Sequence, residues 1–374
     1  MKEIFVHGIG AVSPAGWGVE ALRKALDEKN SIATKPLTRP GWENSLQIRQ
    51  VPAPPARPGF LSHARLRRTS PITHFGVSAG LEALGEEASA FGSGQLRLGV
   101  VQCVMSGCIN YSRRFYDETL RDPASASPLV FPETVFNAPA SHLAALLGTN
   151  AINYTLIGDP GTFLQGIALA SNWLLNDRVD GCLVIGAEET DWLTADAFRR
   201  FQRKMILSDG AGAIFLRAED SEMSRGLRVE NRASERSESR TSRLGTRTKV
   251  RVSKITDAHP YLQNQSRHCA ASKMRAELAG DFTAQLLCDS TQGVTRLDGA
   301  ESEAWKDWAG LRVSPKTILG EGLMAAAGWQ CVAAIDAIRE GRCDAANVSV
   351  VGCNQQAIGA EFISGNVARA GDGA

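Results

Sequence analysis

The chain has 374 residues, 43% of them hydrophobic and 22% charged, enough for two domains or one large double unit and unlike a disordered or fibrous sequence. Its 41 Lys and Arg against 40 Asp and Glu leave a formal charge of +1, so the molecule as a whole offers no field for nucleic acid or an anionic membrane surface. Eight cysteines are scattered with no CxxC and no Cys/His grouping at metal-ligand spacing, which points to a reduced, cytoplasmic chain without structural metal. The opening MKEIFVHGIGAVSPAG has no basic region followed by a long apolar stretch, and nothing approaches the roughly 18 apolar residues of a membrane span. The expectation is a protein neither secreted nor anchored.

In chain order, Ile4-Phe5-Val6 run into Gly8-Ile9-Gly10, and Val19, Leu22 and Leu26 then recur at helical spacing; this reads as strand, glycine turn, helix. The glycines do not make a dinucleotide-binding loop, because GxGxxG fails at Ser13 and no suitably placed acid follows a second strand. Residues 39–68, with VPAPPARPGF at their centre, read as an irregular surface excursion, since proline removes donors and fixes φ. After a helix and the LRLGVV strand, the pattern predicts a helix over 139–147, a strand over 151–157, a helix over 161–175 and a strand over 181–185. Residues 331–356 repeat the last two as amphipathic helix, basic end, apolar strand and glycine, with Gly352 aligned on Gly186. That echo suggests two similar α/β halves, 1–218 and 219–374. From Arg225 to Arg251 there are nine Lys or Arg and three Glu, a local charge of +6. Such a stretch is either a docking patch for an acidic carrier or a solvated insertion; its high charge and lack of aromatic side chains favour the insertion.

Four stretches, in order and at their spacing, carry a family resemblance: KEIFVHGIGAVSPAGWGVEALRKALDEKNSI, FPETVFNAPASHLAALLG, VDGCLVIGAEE and, over 209–216, DGAGAIFL. The chain resembles the β-ketoacyl-acyl carrier protein synthases of the thiolase superfamily. The resemblance implies an α/β, thiolase-like five-layered αβαβα fold made of two similar halves. It also implies an obligate dimer whose strand before the nucleophile pairs across the two-fold. In the implied chemistry a cysteine at a helix N-terminus takes an acyl group from a carrier protein, and two histidines promote decarboxylation of a malonyl unit and stabilise the enolate. The helix end lowers the thiol pKa and its amides bind the thioester oxyanion.

At each of these positions the chain departs from the family. Counting without gaps from Glu188 back through Ile167, the nucleophile's place falls on Pro160, within Asp159-Pro160-Gly161-Thr162. These residues have the form of a helix start, with Asp159 as N-cap acceptor and proline at the first helical position. A carboxylate there competes with an oxyanion, and proline removes a donor. The HGTGT-like turn corresponds to 288–301 and puts Ser290 at the first histidine position, with Asp289 the neighbour if the turn is one residue longer. The KSxxGHxxGAAG-like segment begins at Lys316, which is retained, while Glu321 takes the second histidine's place. A carboxylate there repels a malonyl carboxylate and donates to an enolate only when protonated. None of the six histidines, His142 included, falls in these segments. Cys353, in the Gly352-Cys353-Asn354-Gln355-Gln356 that replaces the family's closing glycine-rich loop, is an alternative thiol, because thiolases carry an acid/base cysteine in this part of the fold. A small buried cysteine is the plainer reading.

The expectation is a ketosynthase homologue with no catalytic residues intact. It would act like the chain-length factors that pair with an active ketosynthase in type II fatty acid, polyketide or aryl polyene synthesis and shape the far end of its acyl tunnel. Met105, Phe136 and Phe163 are candidates for the interface or the tunnel wall, with ordinary core packing as the alternative. Expected partners are an active ketosynthase in a heterodimer, or a second copy, and an acyl carrier protein; no cofactor or metal is expected. Two other readings are an acyl-thioester enzyme with changed chemistry, using Cys353, Asp159, Glu321 or Lys316, and a carrier-binding regulator docking through Arg232 and Arg236.

Overall fold

Along the path of the main sheet five strands come early in the chain, β1 (Lys2–Ser13), β2 (Leu98–Val104), β3 (Ile152–Ile157), β4 (Gly181–Glu188) and β5 (Gly210–Asp220). Five come late: β6 (Val250–Ile255), β7 (Leu286–Cys288), β8 (Leu311–Val313), β9 (Ala345–Val351) and β10 (Gln356–Ser364). They belong to a computed structural model that describes residues 2–39, 41–150, 152–220, 248–278, 285–353 and 355–365. Hydrogen bonding orders them β8-β7-β9-β10-β6-β1-β5-β4-β2-β3. Each set of five therefore has the order third, second, fourth, fifth, first. In each, the third, second and fourth strands run parallel, and the fifth is antiparallel to both its neighbours. The second set repeats the first in order and sense, so the fold consists of two similar halves. Within the sheet they meet where Phe5 and Val6 of β1 face Arg251 and Val250 of β6.

The principal helices among the described residues are α1 (Val19–Glu28), α2 (Pro71–Leu84), α3 (Ile109–Arg121), α4 (Ala138–Leu147), α5 (Thr162–Leu175), α6 (Trp192–Phe201), α7 (Asn264–Leu278), α8 (Thr295–Ala304) and α9 (Met324–Arg339). α9 touches β1, β4 and β5 on one side and β7, β9 and β10 on the other, with α5 beside it. α2 and α4 cover the far face of the first half, and α7 and α8 that of the second, giving helix, sheet, helix, sheet, helix. Position explains composition. α9, MAAAGWQCVAAIDAIR, is apolar nearly all round because it has sheet on both sides. β2, β4, β9 and β10 are buried at every residue for the same reason.

The middle layer packs backbone to backbone. A Cβ on Gly212 of β5 would lie 2.6 Å from the Gly328 carbonyl carbon of α9, and one on Gly186 of β4 would lie 2.4 Å from Met324 O. Trp329 Nε1 donates to the carbonyls of Val12 and Ala211, 3.0 Å each, and so ties α9 to β1 and β5.

Three expectations need correction. Gly8 and Gly10 form no turn; β1 runs straight through them. They are glycine because α2 lies on the strand, and a Cβ on either would sit within 2 Å of Ala83 O or Ala79 O. Residues 39–68 are not wholly irregular. Leu46–Arg49 is a strand between Lys35–Leu37 and Leu207–Ser208, with Ile48 fully buried; the residues on either side of it are largely exposed or half-buried, apart from the short helical turns Gly59–Ser62 and Ala64–Arg68, where Leu66 is buried. Of the basic insertion 225–251, residues 225–247, with Arg232 and Arg236, lie outside the described residues. Its last two residues, Val250 and Arg251, are buried in β6, because this strand is the seam between the halves. No helix among the described residues is long and apolar enough to cross a membrane.

Gly212→Ala should cost about 3 kcal/mol in urea unfolding, the upper end for overpacking. Gly299→Ala, mid-helix in α8 with nothing within 4 Å of its Cβ, should instead stabilise by about 0.5–1 kcal/mol.

Candidate functional site

The segments singled out in the sequence converge where β3, β7 and β9 end and α5 and α9 begin. Asp159 is fully buried. Its Oδ2 accepts from the backbone N–H groups of Gln355 and Gln356, 3.2 Å each, and its Oδ1 from Gly161 N–H at 3.2 Å and Gln356 Nε2 at 3.1 Å. Gly352 makes room, since a Cβ there would lie 1.8 Å from Oδ2. Burial raises the Asp159 pKa, and the Gln356 side chain and the amides offset part of the rise. The expected capping geometry needs correction. α5 begins at Thr162 with Gly161 as its N-cap, Pro160 lies in the turn before it, and the Asp159 carboxylate is drawn mainly to the amides that open β10. No thiol occupies this turn.

Lys316 and Glu321 form a fully buried ion pair at 2.8 Å, and Glu321 Oε1 also accepts from Leu323 N–H at 2.9 Å. Burial alone would depress the Lys316 pKa; Glu321 outweighs it and the pKa ends raised. Both side chains are thus committed to each other. Ser290 is committed as well. Its Oγ donates to Ser349 O at 3.0 Å and accepts from Val351 N–H at 3.1 Å, while its N–H donates to the Glu301 carboxylate. Asp289 pairs with Arg312 at 3.0 Å. Burial, then the neighbouring Asp289, lifts Glu301 to about 8.

Cys353 is partly exposed. Burial of its sulfur, then the Glu321 charge, pushes the thiol pKa up, and Lys316 offsets this in part. A thiolate at neutral pH is therefore disfavoured. With Met105, Cys353 lines a cleft of about 510 Å³ walled by Phe198, Phe201, Met205, Tyr261 and Arg267. Phe136 is 39% exposed and lies over Gly107. Phe163 is fully buried against Gly186 in the middle layer and lines neither the cleft nor the surface, so core packing accounts for it. His142 pairs with Glu133 at 2.9 Å. Among the described residues no group of three or more His, Cys, Asp or Glu is placed to hold a metal ion.

Sequence reasoning missed the acids that fasten the loops around this site. Glu188 accepts from the N–H groups of Met105 and Ser106, and Glu189 from those of Ile72 and Asn110 and from Ser70 Oγ. Asp209 accepts from Thr190 N–H at 2.6 Å. Burial lifts Glu188 and Asp209 to about 8 each and raises Glu189. The only signal was consecutive acids ending an otherwise apolar strand.

No protein-family model matches the chain, and no curated protein does. Solved structures match it in shape. The chain is similar to "The ishigamide ketosynthase/chain length factor", with TM-score 0.76 and 16% identity over 97% of this chain and 99% of that one. It is similar to a β-ketoacyl synthase from Burkholderia phymatum STM815, with TM-score 0.75 and 14% identity over 97% and 100%. A third is the AntDE:AntF structure, a type II PKS acyl-carrier protein in complex with its ketosynthase, with TM-score 0.71 and 15% identity over 97% and 100%. The chain therefore has a thiolase-like αβαβα fold of two similar halves. More narrowly, it has the form of that fold found in ketosynthases.

Lys316→Met should cost about 3–5 kcal/mol by leaving Glu321 buried alone, and adding Glu321→Leu should restore most of the loss in urea unfolding. Glu188, Asp209 and Glu301 bind a proton more tightly folded than unfolded, their pKa values rising from 4.5, 3.8 and 4.5 to about 8. Between those limits the native state holds more protons, so stability falls as pH rises, by up to about 1.4 kcal/mol per pH unit for each group. Urea midpoints at about pH 6 and pH 8 measure the slope, which Glu301→Gln should reduce.

Proposed function

We propose that the chain is a non-catalytic, ketosynthase-like partner subunit, comparable to a chain-length factor, that pairs with an active β-ketoacyl synthase and shapes its acyl tunnel. One observation carries the reading: the turn matched to the family's nucleophile holds a buried carboxylate in place of a thiol, and backbone amides already occupy that carboxylate. The Lys316–Glu321 pair and the bonded Ser290 support it, since neither matched histidine position retains a free proton donor.

The surface suits a subunit. β3 ends the sheet, and its Tyr154 and Ile157 are more than half exposed. Tyr116 and Leu120 on α3, and Leu129 and Phe131 after it, are also more than half exposed. An unpaired edge strand with apolar side chains invites another chain. A second reading, a thioester enzyme using Cys353, draws on the thiol's place in the cleft wall; its raised pKa counts against it.

Co-expression with an active ketosynthase should give a stable heterodimer by size-exclusion chromatography, and Tyr154→Asp with Ile157→Asp should break it while circular dichroism stays unchanged. Incubation with acyl-carrier thioesters should leave the intact mass of the chain unaltered. A solitary product that leaves the ketosynthase fully active would overturn the reading, and an acyl adduct lost on Cys353→Ala would favour the second one.

A further inference from the structure

Arg267 is a buried cation with no carboxylate partner among the described residues. It lies on α7 with 7% of its surface exposed, in the wall of the cleft beside Cys353 and Tyr261. One Nη donates to the Cys353 carbonyl at 3.2 Å, and the Tyr261 ring lies 5.2 Å from the guanidinium. Its Nε is buried without an acceptor, and no carboxylate among the described residues forms an ion pair with it. Arg251, equally buried and likewise with its Nε unpartnered, has Glu3 for its charge, and Arg49 has the Ile32 carbonyl and Ser31 Oγ.

Arginine keeps its charge in proteins, and a charge removed from water is costly unless it is paired. Arg296, exposed, lines the same cleft. Met105, Phe198, Phe201 and Met205 give the cleft an apolar lining, alongside the polar Gln202, Gln263 and Asn264. A pocket with an apolar body and converging cationic donors selects a ligand of matching polarity. We infer that the cleft holds an anionic amphiphile, an alkyl chain whose carboxylate or phosphate pairs with Arg267 while Arg296 attracts it at the mouth. A guanidinium fork suits either oxyanion. This extends the partner-subunit reading without depending on it, since it concerns binding to this chain alone.

Calorimetric titration of the full chain with octanoate, octyl phosphate and octan-1-ol tests the inference. At least one anion should bind about tenfold or more tighter than the alcohol, as expected for a charged hydrogen bond. Arg267→Gln should reduce that anion to the alcohol's affinity and leave the alcohol unaffected. Preference for octyl phosphate indicates a phosphate-bearing ligand and preference for octanoate a carboxyl-bearing one; either supports the subsite. Equal binding of all three, a preference that survives Arg267→Gln, or no binding overturns it. Because Arg267→Gln also removes the bond to Cys353, Arg267→Lys and the three-ligand comparison on the unaltered protein decide the matter if the glutamine variant does not fold. Heterodimer formation is read separately, so loss of one result does not entail loss of the other.

Discussion

The close approach of α9 to β4 and β5 is the constraint on which the rest of the molecule depends. Contact between Gly212 and Gly328, and between Gly186 and the Met324 carbonyl, leaves no space for a single methyl group. With α9 held that near, the segment before it has little freedom. Gly320 takes φ +91° against Ile206 O, and Leu323 takes φ +50°, a conformation that costs a branched side chain energy and persists only where the surroundings enforce it. Glu321 is pinned between them, its N–H donating to Ile206 O and its carbonyl accepting from Ser208 N–H. Its carboxylate can then reach only Lys316 and the Leu323 amide. The commitment of Glu321 to Lys316 thus follows from the packing of the middle layer as much as from the residues themselves.

A second regularity concerns how the loops at the strand ends are held. Asp159, Glu188, Glu189, Asp209, Asp298 and Glu301 are all buried, and each accepts hydrogen bonds from backbone N–H groups of another loop or turn. Amide donors satisfy a carboxylate without importing a second charge, so the acids act as clasps. The same burial that makes them effective raises the pKa values of Asp159, Glu188, Glu189, Asp209 and Glu301, which is why stability and protonation are linked in this molecule.

The sequence made the grammar of the fold legible and hid its close contacts. The helices at 139–147 and 161–175, and the echo of 167–189 in 331–356, were readable because periodicity and punctuation are local properties. Gly8 and Gly10 misled because their reason is α2, some seventy residues away in the chain; a glycine in a strand and a glycine in a turn look alike without the neighbour. Pro160 was misplaced by a turn for a similar reason, since the amides that attract Asp159 belong to residues 355 and 356. That Pro160, Ser290 and Glu321 stand at the positions matched to the family's nucleophile and histidines is a reading that needs only alignment. Arg267, in the polar run QNQSRH, carried no sign of burial, and only the fold shows it without an anion.

The pairing of β1 has a consequence for synthesis. β1 finds its main partner in β5, more than two hundred residues later, and a further partner in β6. At 5–20 residues per second it waits roughly 10–40 s with most of both edges open, only Val12 and Ser13 pairing locally with Trp17 and Gly16. An apolar strand held unpaired for that long is a target for chaperones and for aggregation. The two halves therefore cannot mature one after the other, because the seam strand of the first closes only when the start of the second emerges.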